Sequence, residues 1–280
     1  MNPLVFAIVL AAALMHASWN ALVKARLEPV VAMALVTAAC GAIAVPLLIA
    51  FGLPRPIALP NVFASVCLHL FYYLALAAAY HRGDMSLVYP VARGGGPLLA
   101  TVAVLLLGEE ISGHTIAGVL VLGGGVLLMS FNRLRVRSRA DLPAIGFALL
   151  TGTIIAGYTV VDGLGARRAG DASAYAATLF VLDAFPLPLF LLWRRGLAAL
   201  GPMRGYWRQG LLGGALSLAG YWIAIWAMTV APIPAVAALR ETSVLFSAAI
   251  ATLVLKERFV PMRGAAAVVI LTGIIIIRLG

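Results

Sequence analysis

Two arginines stand inside long apolar stretches of this sequence at matching positions. Arg93 and Arg240 are each followed seventeen residues later by a glutamate, Glu110 and Glu257 respectively. The stretches 80–130 and 227–277 align through these positions without a gap. An ionisable side chain deep in an apolar membrane segment is costly, so it is retained for a purpose. The repetition predicts a duplicated membrane unit with a central polar site.

Each arginine lies about eight residues into its apolar stretch, or roughly 12 Å at about 1.5 Å per helical residue. In a hydrocarbon core about 30 Å thick, this depth is close to the midplane. An arginine there can bind a substrate or form a gate. The alternative is that a carboxylate or backbone carbonyls neutralise it as part of the packing. Glu241 follows Arg240 directly, but adjacent residues on a helix do not face each other.

The residues that follow the two arginines differ. Arg93 is followed by Gly-Gly-Gly-Pro at 94–97, and Arg240 by Glu-Thr-Ser-Val at 241–244. Glycine and proline weaken a helix, and Pro90 adds a second weak point. Broken helices at mid-depth commonly line transporter sites. We therefore predict that the helix with Arg93 bends and that the helix with Arg240 supplies hydrogen bonds.

Histidines and aromatic residues extend the candidate site. His16, Trp19 and Asn20 occupy positions i, i+3 and i+4, which share one face of a helix. His69 and Tyr73 lie one turn apart in another segment. A single histidine is more often a packing residue, but two beside aromatics favour a site, and neither has metal-ligand spacing. The candidate substrate-binding residues are His16, Trp19, Asn20, His69, Tyr73, Tyr89, Arg93, Tyr158, Tyr221, Trp222, Arg240 and Glu241.

Acidic residues are scarce inside the apolar segments. Asp183 lies near the centre of one and is followed by two prolines. An unpaired aspartate there is costly, so we expect it to be neutral or paired with an arginine, and it could carry protons. Asp162 is expected to pair with loop arginines. Glu110 and Glu257 stand at equivalent helix ends, where we expect a structural role.

Composition indicates what kind of protein positions these residues. Of 280 residues, 63% are hydrophobic and 11% charged, and the mean hydropathy is +1.06. Soluble domains carry about 25% charged residues, so a membrane protein is favoured. The net charge of +10 does not indicate nucleic acid, because the basic residues stand in short loops between apolar segments. Cys40 and Cys67 are expected to be small buried hydrophobic residues, and no metal or cofactor is expected.

Ten segments are apolar enough to form spanning helices, each of which needs about 20 residues. They are approximately 3–24, 30–52, 61–81, 85–107, 114–131, 142–165, 172–193, 210–230, 233–255 and 260–279. The first lacks the basic region of a cleavable signal peptide, so we expect a retained helix. The basic stretch 132–141 separates residues 1–131 from residues 142–280. We predict an all-α integral membrane protein with ten transmembrane helices in two inverted five-helix repeats.

The inversion follows from the odd number of helices in each repeat, because the second repeat then enters the membrane from the opposite face. Inverted repeats place a substrate near the midplane, between halves that rock against each other. The loops after segments 1, 3, 5, 7 and 9 hold fourteen of the twenty lysines and arginines. The positive-inside rule then predicts that both termini lie outside the cytoplasm.

These features resemble the drug/metabolite transporter superfamily, in particular its ten-helix EamA-type branch. The resemblance covers nearly the whole chain and rests first on the duplicated five-helix unit. It also rests on Leu-Leu-Leu-Gly-Glu-Glu at 105–110, which recurs as Leu-Val-Leu-Lys-Glu-Arg at 253–258. The glycine-rich fifth segment and His-Ala-Ser-Trp-Asn-Ala-Leu-Val-Lys at 16–24 are also similar to this family.

The resemblance implies a basket of helices 1, 3, 4, 6, 8 and 9 around a central cavity, with helices 5 and 10 at the periphery. It also implies movement of small solutes such as amino acids, other metabolites or drugs. Proton-coupled small multidrug relatives use a glutamate in the first helix, where this chain has His16 and Asn20. That difference argues against proton-coupled export of cationic drugs.

The leading hypothesis is therefore a secondary transporter of the bacterial inner membrane that exports an amino acid or a related zwitterion or anion by alternating access. Arginine suits a carboxylate or phosphonate group, and aromatic residues suit the remainder. A permease for small organic anions such as phosphonates is the alternative. A lipid-modifying enzyme is a more distant alternative, because no paired acids or metal cluster stand at one face. A channel is also more distant, because it would not require the mirrored arginines. No phosphate-binding loop or hydrolase motif supports ATP-driven transport or hydrolysis. The two halves supply their own pseudo-symmetry, which is compatible with a monomer in the bilayer.

Overall fold

The computed structural model describes residues 1–23, 27–82, 85–129, 142–253 and 261–279, and the regular elements among them are all helical. The α-helices are α1 Pro3–Val23, α2 Pro29–Phe51, α3 Leu59–Arg82, α4 Met85–Leu106, α5 Gly113–Leu128, α6 Leu142–Arg168, α7 Ala172–Asp183, α8 Pro186–Arg195, α9 Gly201–Arg204, α10 Trp207–Val230, α11 Ile233–Glu241, α12 Ser243–Leu253 and α13 Pro261–Leu279. Short 3₁₀ segments occupy Pro56–Ala58 and Gly196–Leu200.

The length and apolar character of these helices make the chain an integral membrane protein. Among the described residues, eight helical stretches are long and apolar enough to cross a bilayer. Two further apolar helices, Val91–Leu106 and Gly113–Leu128, are shorter. Large apolar side chains such as Ile49 and Leu106 are more than 80% exposed, as suits a surface that faces lipid. The all-α membrane fold is confirmed, while the ten-helix count and the inverted repeat stay predictions.

Two of the predicted segments are interrupted in the structure. The segment 172–193 divides into α7 and α8, because Pro186 has no N–H to continue the helix and instead begins a new one. The segment 233–255 divides into α11 and α12 at Thr242. There the backbone N–H and the hydroxyl of Thr242 both donate to the carbonyl of Leu239, at 3.1 and 2.6 Å.

The residues after Arg93 do not break the helix, because α4 runs without interruption from Met85 to Leu106. Its glycines serve close packing instead. A Cβ on Gly94 would lie 2.9 Å from the Leu127 side chain on α5, and one on Gly96 would lie 2.9 Å from Ile155 on α6. Glycine at a helix interface in lipid allows neighbouring backbones to approach. The helix that breaks is the one with Arg240.

The helices pack in a set of pairs. The most extensive contacts join α3 to α6, α4 to α6, α1 to α10, α5 to α13 and α2 to α7. All five of these pairs join a helix of residues 1–131 to a helix of residues 142–280, so the two parts pack closely against each other. The polar residues predicted for the site lie where these helices pack together.

Candidate functional site

A central cavity of about 80 Å³ lies between eight of the helices. A cavity of this size has room for several water molecules. It is lined from α1, α2, α3, α4, α6, α7, α10 and α11. The fold brings together nine of the sequence-predicted residues there, namely His16, Trp19, His69, Tyr73, Arg93, Tyr158, Asp183, Tyr221 and Arg240.

The charge of Arg93 is neutralised across the two parts of the chain. Its Nε lies 2.8 Å from Oε2 of Glu241, and both side chains are at least 95% buried. The two groups thus form a buried ion pair between α4 and α11. The guanidinium also donates to the Ser243 hydroxyl at 3.4 Å. Glu241 thus belongs to the wall behind the cavity, as the partner of one arginine.

Arg240 has a different environment. Its guanidinium lies 4.5 Å from the centre of the Tyr221 ring, which is cation–π geometry. No carboxylate among the described residues forms an ion pair with it. The side chain is half-buried and lines the central cavity as well as a small polar cavity that it shares with Arg93. Arg240 is therefore a cation presented to the cavity.

Aromatic rings form one wall of the cavity around His69. The His69 ring is stacked on Tyr158 at 4.4 Å and on Tyr73 at 6.3 Å, and its edge meets Tyr221 at 5.8 Å. Nδ1 of His69 lies 3.0 Å from the carbonyl oxygen of Ser65. Because a carbonyl can only accept, this contact favours the tautomer with the proton on Nδ1. The unprotonated Nε2 is then an acceptor.

Asp183 stands at the other end of this aromatic wall, where α7 ends. Its Oδ2 accepts a hydrogen bond from the Tyr73 hydroxyl at 3.1 Å. Its Oδ1 is buried and has no hydrogen-bond partner among the described residues. A buried oxygen without a partner is costly, so it is a position where a ligand, water or proton is favoured. Of the two expected states of Asp183, neutral or paired with an arginine, the arginine pair is not seen among the described residues, where its hydrogen-bond partner is the Tyr73 hydroxyl.

Asp162 was expected near loop arginines, and this prediction is wrong. Its side chain is fully buried in α6 and accepts hydrogen bonds from the hydroxyls of Tyr175 and Tyr221. Two charge-assisted hydrogen bonds compensate for burying the carboxylate. Because Tyr221 also carries Arg240 on its ring, Asp162 positions that tyrosine from behind the cavity.

The first helix contributes a smaller polar cluster. The indole Nε1 of Trp19 donates to Nδ1 of His16 at 3.3 Å, and the two rings meet edge to face. Asn20 Nδ2 donates to the His16 carbonyl at 2.8 Å, so Asn20 is used within its own helix and does not line the cavity.

Trp222 also stays outside the cavity. Its indole donates to the Ser173 hydroxyl at 3.3 Å, and its ring packs against Phe51. Tyr221 and Trp222 are adjacent on α10, so only one of the two can face the centre. The side chain of Tyr89 and all of Glu257 lie outside the described residues. Glu110 is exposed, beyond the end of α4.

Several cavity residues were not found by sequence reasoning, and most come from α2 and α7. They are Met33, Val36, Thr37, Cys40, Leu179, Phe180 and Ser217. The implied basket left out both helices. Their apolar side chains give no signal in the sequence, although Thr37 and Cys40, one turn apart in an apolar helix, give a weak one. Cys40 donates to the Gly214 carbonyl, whereas Cys67 is exposed, contrary to the expectation that both are buried.

Metal chemistry has no ligand set in this region. Among the described residues, no group of three or more His, Cys, Asp or Glu side chains could hold a metal ion. The polar groups of the cavity are instead single charges and hydrogen-bonding rings. Such an arrangement can bind and orient a small organic molecule by its charged ends and its apolar body.

Known proteins are similar to this chain in sequence and in fold. The model of the EamA-like transporter family matches residues 142–279. A solved crystal structure superposes on this chain with a TM-score of 0.77 at 18% sequence identity. The superposition covers 100% of this chain and 98% of the chain in that structure. At that identity the likeness shows the fold alone. No curated protein matches the sequence. The family match makes residues 142–279 an EamA-like transporter domain, and the chain is a membrane transporter of small molecules from the drug/metabolite transporter superfamily.

Proposed function

We propose that the protein is a secondary transporter of the bacterial inner membrane that exports a small zwitterion, such as an amino acid or a related metabolite. The observation that carries the proposal is Arg240, a cation on the cavity surface that no described carboxylate pairs. An arginine fork binds a substrate carboxylate through charge-assisted hydrogen bonds. Arg93 is not proposed for this role, because Glu241 already takes its charge.

Asp183 supports a zwitterion over a simple anion. Its Oδ1 is buried, without a partner among the described residues, and faces the same cavity as Arg240. The Tyr73, His69 and Tyr221 rings lie between the two charges. A substrate ammonium or other donor at Asp183, a carboxylate at Arg240 and an apolar body along the rings would satisfy all three. When substrate is absent, a proton can occupy Asp183.

Alternating access between two halves is the proposed mechanism. If residues 1–131 and 142–280 are repeats, α1 corresponds to α6 and α3 corresponds to α10. Exchange of the two repeats would then map the α1–α10 pair onto the α6–α3 pair, and both pairs are closely packed. The same exchange maps α5–α13 and α2–α7 onto themselves. The site residues of α1 and α2 lie toward the end of the bundle where α1 ends and α2 begins, which the positive-inside rule assigns to the cytoplasm. A cysteine-accessibility scan that found both termini in the cytoplasm would overturn this orientation.

Transport into proteoliposomes tests the proposed substrate class. Amino acids and phosphonates would be screened by exchange against internal unlabelled substrate, with and without a pH gradient. We expect Arg240→Gln to raise KM at least tenfold for substrates with a carboxylate, which corresponds to a loss of about 1.4 kcal/mol of binding. Arg240→Lys should retain part of the affinity. Arg208→Gln is the control, because that exposed arginine stacks on Trp207 outside the cavity.

Asp183→Asn separates the zwitterion from the phosphonate alternative. A zwitterion should lose affinity in this variant, because the carboxylate that faces its ammonium is gone. A phosphonate without an amine should be transported as well as before, or better. Unchanged transport of every substrate in both Arg240→Gln and Asp183→Asn would remove the cavity from the transport pathway.

A further inference from the structure

A second concave site lies on the outer surface of the bundle, away from the central cavity. It is a groove of about 440 Å³ between α1, α12 and α13, and eight of its ten lining side chains are apolar. Phe6 and Leu10 line it from α1, Leu245 and Phe246 from α12, and Ile274 and Ile275 from α13. The volume is within the range of about 300–1,000 Å³ that is usual for small-molecule sites.

The groove exists because α13 is drawn toward α5. A Cβ on Gly118 or Gly125 of α5 would lie 2.9 Å from a backbone nitrogen of α13, at Ile277 and Ile270 respectively. This close approach to α5 leaves α13 little contact with α12, the helix before it, among the described residues. In residues 1–131, by comparison, α5 packs closely on α4, the helix before it. Apart from Arg278 and Thr242 the gap is lined by apolar side chains, so water gains few hydrogen bonds there. In a bilayer an apolar chain is the occupant that fills it.

A cation stands at one end of the groove. Arg278 lines it in the last turn of α13 and donates from Nη1 to the carbonyl oxygen of Met1 at 3.2 Å. A guanidinium has five N–H donors, and this bond uses one. An arginine at the end of a spanning helix extends to the level of the lipid headgroups. The groove therefore combines an apolar channel with an arginine at one end, a group that can bind a phosphate.

We propose that this groove is a binding site for one anionic phospholipid, with an acyl chain between α12 and α13 and the phosphate held by Arg278. The site also borders the transport machinery. Thr242, at the interruption between α11 and α12, lines the groove, and the preceding residue Glu241 pairs with Arg93. A bound chain would support the interrupted helix from its lipid side.

The test uses the full chain, purified in detergent and titrated with dioleoylphosphatidylglycerol or dioleoylphosphatidylcholine. Native mass spectrometry should show one phosphatidylglycerol that binds at least tenfold more tightly than phosphatidylcholine, with a saturable rise in Tm. Ile275→Trp fills the groove and should abolish this binding. Val268→Trp is the matched control, because Val268 is exposed two turns away on the same face of α13 and does not line the groove.

Arg278→Gln gives an independent readout that does not depend on filling the groove. This variant should still bind lipid but lose the preference for phosphatidylglycerol over phosphatidylcholine. If Ile275→Trp fails to fold, this loss of preference decides the question. Equal binding of the two lipids by the unmodified protein, or an unchanged preference in Arg278→Gln, would overturn the proposal. So would equal phosphatidylglycerol binding by folded Ile275→Trp and Val268→Trp.

Discussion

The charge of Arg93 is held between α4 and the turn that separates α11 from α12. Glu241 lies 2.8 Å away and the Ser243 hydroxyl 3.4 Å away. Burying two charges costs several kcal/mol per ion, and mutual attraction offsets that cost only while both partners are present. Arg93 and Glu241 are therefore dependent on each other. Arg240, by contrast, has Tyr221 as its neighbour and remains available at the cavity surface.

At the residue scale, we predict that Arg93→Ala lowers the free energy of unfolding by about 3–5 kcal/mol, because it leaves Glu241 charged and buried. The double variant Arg93→Met, Glu241→Leu should recover most of that loss, since it removes both charges. Chemical unfolding in detergent micelles, followed by tryptophan fluorescence, measures both. Arg240→Gln is the comparison variant, and it should lower the free energy of unfolding by much less. An Arg93→Ala protein as stable as the unmodified chain would show that the pair does not hold the helices together.

At the scale of the elements, glycine determines how closely α4 approaches its neighbours. Gly152 on α6 faces the backbone of α4, and a Cβ there would lie 3.0 Å from the Ala92 carbonyl oxygen. Arg93 is the next residue, so the position of its side chain depends on this approach. In lipid, close packing is the main force that joins helices. The small residues of α6 thus position the charged pair.

We predict that Gly152→Ala lowers the free energy of unfolding by about 1–3 kcal/mol, because the added methyl group pushes α6 from α4. Gly146→Ala on the same helix is the matched control, since a Cβ there meets nothing within 4 Å. The control should be neutral or more stable by up to about 1 kcal/mol, because alanine favours a helix. Thermal unfolding of the two variants compares them directly. Equal changes in the free energy of unfolding of the two variants would mean that α4 and α6 can move apart to accept the methyl group without a loss of stability.

At the scale of the whole molecule, two ion pairs join the halves at opposite ends of the bundle. Glu28, before α2, forms a bidentate pair with Arg195 at the end of α8. At the other end, Arg167 pairs with Glu109 and also donates to the carbonyls of Met228 and Ala231. If the two halves rock against each other, the ion pair at one of these ends must lengthen or break. The bonds to Met228 and Ala231 stay within residues 142–280, so the contact of Arg167 that joins the halves is the one with Glu109.

The Glu28–Arg195 pair predicts a dependence of stability on pH. Hydrogen bonds from Arg195 lower the pKa of Glu28 below its usual value of 4.5. A carboxylate with a lowered pKa contributes fully above the unfolded-state pKa, and the contribution is lost as pH falls through the folded-state pKa. The Tm difference between the unmodified protein and Glu28→Gln should therefore be constant from about pH 7 to 5 and shrink as the pH falls below 4.5 toward the lowered folded-state pKa.

The effect of Glu28→Gln should be small, because the pair is exposed and screened by solvent. Glu110→Gln is a suitable control, since Glu110 is an exposed carboxylate beyond the end of α4. A Tm difference that grows on acidification would contradict the assignment of Glu28 as the ionised partner.

Fold class and about half of the residues that line the cavity were accessible from the sequence, and the reasons are local. Apolar runs of spanning length predict helices whatever their neighbours are, and His16, His69, Arg93, Asp183 and Arg240 stand out because polar groups are rare there. Asn20 and Trp222 were assigned to the cavity because helical spacing defines a face but not which face points inward. The α2 and α7 wall was missed because its side chains are mainly apolar.

By itself the sequence determined the membrane-spanning helices, the embedded charges and the family to which the transporter belongs. These depend on composition and spacing, which a single chain carries along its length. The interaction partners of the buried charged side chains were decided only by the tertiary structure. Glu241 pairs with an arginine far away in the chain, Asp162 with two tyrosines, and the interruption falls beside Arg240 instead of Arg93. Burial, close approach and the choice among polar neighbours are properties of packed helices, so they cannot be read from one helix at a time.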